Sequence, residues 1–175
     1  KATSGTSIGL RQGFTDLALL ARVDVGQFHG IEYEEFPARI AEVAMWMTDH
    51  IANNALAAAF SKAFARIPLK QSANIWHGDA LEVDWNDVLP AAKCSFVMGN
   101  PPFVGQTFRT DEQNQEVRDV FGDVRLVNSI DYVACWYVKA ADYMKGHKDK
   151  AVRCAFVSTN SITHDEQVEH TWPTL

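Results

Sequence analysis

Short continuous apolar runs alternate with longer stripes of helical spacing along this chain. The run "GQFHGIEY" predicts a strand over about 27–33. In "FPARIAEVAMWMTDHI", Phe36, Ile40, Val43, Ala44, Met47 and Ile51 fall on one face of a helix, which predicts a core-facing stripe. Pro37 suits its first turn, where a missing N–H leaves no bond unmade. That helix, or a second one after Asn53 and Asn54, extends through "ALAAAFSKAFARI" and stops at Pro68. Further strands are expected over about 73–77 and 94–98, the latter apolar enough to be buried on both faces. "TDEQNQEVRDVFGD" is polar and reads as a short solvated helix. In "SIDYVACWYVKAADYM", Ile130, Val133, Ala134, Tyr137, Ala140, Ala141 and Met144 share a helical face, with Ser129 as N-cap. "AVRCAFVSTNSI" holds a fourth strand.

Strand, helix, strand, strand, helix, strand at this spacing predicts an α/β fold with a mainly parallel sheet. Such sheets bind ligands beyond the carboxyl ends of their strands. Residues 1–25 are polar at first, with Gly5, Gly9 and Gly13, and read as a linker or loop. A glycine-rich cofactor loop would follow an apolar strand, and none precedes this segment.

Composition narrows the reading. The chain has 175 residues, 47% apolar and 22% charged, which suits one globular domain. Its net charge of −6 argues against wrapping DNA by charge alone. Cys94, Cys135 and Cys154 form no CxxC pair, so they read as buried free thiols of a cytoplasmic protein. No apolar run approaches a membrane span and no signal peptide is visible. His164 and His170 are poorly spaced for a shared metal, and no metal is expected. The five tryptophans read as core or interface.

Attention then falls on the strand ends. Glu32 can accept from both ribose hydroxyls of a bound nucleoside, or it can be one exposed carboxylate of an acidic turn with Glu34 and Glu35. Tyr33 can lay its ring against an adenine. Asp79 can accept from an exocyclic adenine amine, or it can simply close a turn after Gly78. In "GNPPF", Pro101 and Pro102 remove two N–H donors, so the loop presents mostly acceptors. The Asn100 side chain and the Pro101 carbonyl can receive both hydrogens of one NH2, while Phe103 stacks on its ring. An aromatic amine is a weak nucleophile because its lone pair is delocalised. Two accepted hydrogen bonds favour a pyramidal nitrogen and localise that pair. Preorganised acceptors and in-line placement then carry much of the chemistry.

"NPPF" resembles the catalytic motif of amino-group DNA methyltransferases. With "GIEYEEFPARIAEVAMWMTDH", "DYVACWYVKAA" and "AFVSTNSITHDEQV", it is similar to the methyltransferase part of type IIG, MmeI-like restriction–modification enzymes, from Gln27 onward. The resemblance implies a Rossmann-like class I methyltransferase sheet over 26–175. It also implies S-adenosylmethionine as cofactor and double-stranded DNA with a flipped adenine as substrate, methylated at N6. It assigns cofactor binding to Glu32, Tyr33, Asp79 and Ala80, and catalysis to Asn100, Pro101, Pro102 and Phe103. Asn at the first motif position favours adenine over cytosine N4.

One part of that family pattern is not found. The family has a strand and a glycine-rich loop of the type DPACGSGNF ahead of the strand ending in Glu32. That strand lies centrally, between those ending in Glu32 and Asn100. The expectation is therefore an internal fragment with two unbridged strand pairs, inactive alone and prone to self-association through free edges. Two alternatives stand beside this: an inactive remnant or structural module, and an Asn-Pro-Pro methyltransferase acting on RNA or protein glutamine.

Overall fold

The computed structural model describes residues 23–59, 73–122, 127–145, 152–164, 168, 169 and 171–174. A 3-10 turn, Val25–Gln27, comes first. Asp24 closes it with a capping box, its side chain accepting from the Gly26 N–H at 3.1 Å while its own N–H donates to Gln27 Oε1 at 2.8 Å. Strand β1, His29–Glu32, follows, then helix α1, Glu35–Ala59. Strand β2, Asn74–His77, returns parallel to β1, with Cα partners running from His29↔Asn74 to Glu32↔His77. A helical crossover is what a parallel pair needs.

The second half repeats the scheme. Short helix α2, Trp85–Val88, precedes strand β3, Phe96–Gly99. Helices α3, Asp111–Phe121, and α4, Ala134–Lys145, lead to strand β4, Arg153–Phe156. β3 and β4 pair in parallel, from Phe96↔Arg153 to Gly99↔Phe156. The described strands thus form two separate two-stranded parallel sheets. The α/β class and parallel pairing expected from the sequence are found.

The main core lies under α3 and α4. Thr110 and Gln113 cap α3 reciprocally, and Gly122, at φ 69°, ends it with an N–H bond to the Arg118 carbonyl at 2.7 Å. The polar face of α3 meets water, while Val117 and Phe121 turn inward against Ile130, Val133 and Val138. A smaller cluster joins Ala91, Cys94 and Tyr143, with the Tyr143 hydroxyl donating to the Leu89 carbonyl at 2.7 Å and Trp85 edge-on to its ring.

Four expectations are corrected. The α1 stripe does not face a core: Phe36, Ile40, Val43, Met47 and Ile51 are each at least half exposed. The side that does pack lies opposite, where Ala38 and Asn53 are buried and Asn53 donates to Asp49 at 2.9 Å. A two-stranded sheet is too narrow to cover both sides of a 25-residue helix. Likewise β3 is not buried on both faces, since Phe96 is 61% and Met98 75% exposed. It has one partner strand, and among the described residues nothing covers that face. Cys154, on β4, is exposed, whereas Cys94 and Cys135 are buried. Ser129 is not the N-cap of α4. It belongs to a 3-10 turn, Val127–Ser129, and the helix opens only at Ala134, whose N–H bonds the Asp131 carbonyl at 2.9 Å. That intervening turn tucks Ile130 fully into the core. Pro68 and His170 lie outside the described residues.

Candidate active site

β1 and β2 end side by side, so Glu32 and the turn after His77 share one edge. The Gly78 N–H donates to the Glu32 carbonyl at 2.9 Å, extending the ladder by one residue. Among the described residues the Glu32 carboxylate receives only a long bond, 3.4 Å, from the Glu34 N–H. Tyr33 points outward, 69% exposed. Asp79 Oδ1 accepts from the Leu81 N–H at 2.7 Å, which is turn closure by a side chain. The Ala80 carbonyl accepts from Trp85 Nε1 at 2.8 Å, and this fixes the turn against α2. Glu32, Tyr33, Asp79 and Ala80 are therefore gathered at one strand-pair end.

The other pair ends in the same way. The Val157 N–H donates to the Gly99 carbonyl at 3.1 Å, so the loops after β3 and β4 leave together. In the 100–103 loop Asn100 and Pro102 are exposed, Pro101 is buried and Phe103 is 49% exposed. A buried proline with fixed φ anchors the loop, while the exposed Asn100 amide beside it can meet a ligand.

The core cluster ties these ends to one another. Leu81, after β2, and Ile162, after β4, are both buried in it, and Val104, after β3, packs against it. Three loops from two sheets thus rest on one apolar base.

Several polar residues there carry no motif in the sequence. Arg109 is 8% exposed and donates from Nη1 to the Ile130 carbonyl at 2.9 Å. Desolvation lowers the pKa of its guanidinium, which the Asp131 carboxylate partly offsets. The Tyr132 hydroxyl, in the turn before α4, donates to Glu116 on α3. Burial raises the Glu116 carboxyl, the tyrosine bond pulls it partly back, and nearby Asp79 and Glu82 push it up again. After β4, Thr159 and Ser161 share a 2.7 Å bond, and Ser161 donates to Asp131. The Tyr137 hydroxyl donates to Ser158 at 3.1 Å. Apart from the local Thr159–Ser161 bond, each pairing joins residues at least 16 positions apart, so only the fold brings them together.

Other features lie elsewhere. A cavity of about 290 Å³ is lined by His29, Asn74, Ile75, Trp76, Asp87 and Val88, and holds none of these site residues. Among the described residues no group of three His, Cys, Asp or Glu could hold a metal ion. No helix among them is long and apolar enough to cross a membrane.

Comparison with known proteins shows the family to which the chain belongs. The family described as "MmeI, DNA-methyltransferase domain" matches residues 6–175. DNA methyltransferase A of Bacillus subtilis (strain 168) is 33% identical over 156 residues, which is 87% of this chain and 17% of that protein. The type IIL restriction–modification enzyme MmeI, solved in complex with DNA, superposes with a TM-score of 0.84 at 50% identity, over 93% of this chain and 21% of that one. The chain therefore spans about a fifth of the length of these relatives. With nearly its whole length matched, the chain belongs to the MmeI DNA-methyltransferase domain family.

Proposed function

We propose that this chain carries the target-base site and part of the cofactor site of an adenine-N6 DNA methyltransferase, within a restriction–modification or phage-defence protein. The observation that carries this reading is the 100–103 loop. It leaves the carboxyl end of β3 beside β4, with Pro101 buried and Asn100 exposed. Asn100 Oδ1 and the Pro101 carbonyl accept the two N–H bonds of an adenine amine, holding its nitrogen pyramidal. Phe103, half exposed, stacks on the base. Pro102 keeps the loop from offering a competing donor. An adenine reaches such a loop only after leaving the duplex stack.

S-adenosylmethionine, when bound, supplies an activated methyl group on its sulfonium. The donor set at the β1–β2 end suits its adenosine half. Glu32 there has a lightly engaged carboxylate, Tyr33 an exposed ring, and Asp79 one oxygen beyond its turn bond. Glu32 binds the ribose hydroxyls, Tyr33 flanks the adenine, and Asp79 with Ala80 beside it meets the adenine amine. We read the two strand pairs as halves of one Rossmann-like class I sheet, bridged by a strand and a glycine-rich loop of the parent polypeptide.

Calorimetric titration with S-adenosylmethionine tests the cofactor half, using the full polypeptide. Micromolar binding is expected, weakened about tenfold or more in Glu32→Ala, since a charged hydrogen-bond acceptor is lost. Equal affinity in the variant would remove Glu32 from the site.

A further inference from the structure

Phe108 is the most exposed of the large apolar side chains among the described residues, at 84%. Single exposed apolar residues are ordinary on protein surfaces. What sets Phe108 apart is how firmly its backbone is held, and where. It ends a 3-10 turn, Gln106–Phe108, closed by its own N–H on the Gly105 carbonyl at 2.9 Å. On one side of the turn, Val104 packs on the core cluster. On the other, Arg109 is buried and bonded to the Ile130 carbonyl, and Thr110 caps α3.

Burying a guanidinium is costly unless its donors are engaged. Here the buried guanidinium anchors the residue that follows an outward phenyl ring. One edge of the ring passes near Gly105, where an added Cβ would lie 3.9 Å from its Cδ2. Gly105 is two residues past Phe103, so both rings belong to one loop. A side chain on a pinned turn loses little further freedom when it makes a contact.

Resting on the methyltransferase reading above, we propose that Phe108 meets the duplex beside the extruded adenine and stacks on base faces exposed by the extrusion. Taking one base out of a duplex leaves its neighbours partly unstacked. An aromatic ring is a sequence-tolerant partner for such a face. The turn's other two side chains, Gln106 and Thr107, are exposed and uncharged, so they do not repel phosphates. Phe108 is on this account a positioning residue: it holds the duplex open and never touches the reacting amine.

Single-turnover methylation by the full polypeptide tests this on two duplexes. One is fully paired, and the other has an abasic site opposite the target adenine, which lowers the cost of extrusion. Phe108→Ala should slow methylation of the paired duplex about tenfold or more. On the abasic duplex it should recover to within about twofold of the parent protein. Phe108→Trp should retain the parent rate on both. A Phe108→Ala rate equal to the parent's on paired DNA would overturn the proposal. So would an equal loss on both duplexes, which would mean that Phe108 instead packs against another part of the polypeptide. Asn100→Ala is run alongside: methylation retained in that variant would sink the base-holding reading itself, separately from the Phe108 comparison.

Discussion

At the residue scale, the pair Tyr132–Glu116 shows how the fold sets chemistry that no motif announces. Glu116 projects from a helix that is mostly polar, and only the packing of α3 against the segment that leads into α4 brings it to the Tyr132 hydroxyl. Burial is the largest influence on this carboxyl and raises it above its ordinary value of 4.5. The folded state therefore holds its proton more tightly than the unfolded chain does. That contribution to stability is full below about pH 4.5 and is lost as pH rises through the raised folded pKa. Glu116→Gln keeps an acceptor for Tyr132 but does not titrate. Thermal melts at pH 4 and pH 7 should show a smaller drop in Tm between the two values for this variant than for the parent chain. An identical drop would mean that the Glu116 proton is bound no more tightly in the folded protein. Cys135 follows the same physics: burial pushes its thiol up to about 12, so it is an inert core group rather than a nucleophile.

At the scale of elements, what was legible in the sequence depended on which interaction dominated. The 130–144 stripe was legible because its apolar side is covered within the same chain: Ile130 and Val133, in the turn before α4, and Ala134 and Ala140 within it are all buried. The α1 stripe had an equally clear period, yet it faces outward. Periodicity reports that a face is apolar, not what covers it, and no cover is found among the described residues. The strand-end residues were readable because turn chemistry and proline act locally. Arg109 and the Asp131–Ser161 bond were not, since their partners come from distant segments. In this chain alone, the double variant Ile40→Gln, Met47→Gln should change stability by no more than about 0.5 kcal/mol, as exposed sites usually do. Contiguous exposed apolar surface promotes association, so light scattering should show less self-association for the variant. A large loss of stability would mean that the stripe is buried in solution.

At the scale of the whole molecule, two strand pairs are held by one core rather than by one continuous sheet. Leu81, Val104 and Ile162 seat the loops after β2, β3 and β4 on the same apolar base. This places the candidate cofactor residues and the 100–103 loop on a common support, although their sheets do not pair with each other. Among the described residues β1 and β3 each have one unpaired edge, which fits the bridging strand proposed above. Under the proposed function, the net charge of −6 fits a catalytic part whose DNA contacts are supplied largely by the rest of the parent protein.

The most direct test of the central claim is the product. The full polypeptide is incubated with duplex DNA and methyl-labelled S-adenosylmethionine, and the DNA is digested to nucleosides. The account predicts label in N6-methyladenine. It also predicts a rate lowered by about 10²–10³ in Asn100→Ala, the loss expected for a preorganised hydrogen-bonding group. Label in N4-methylcytosine, in RNA or in protein with none in DNA adenine would contradict it, as would an undiminished rate in Asn100→Ala.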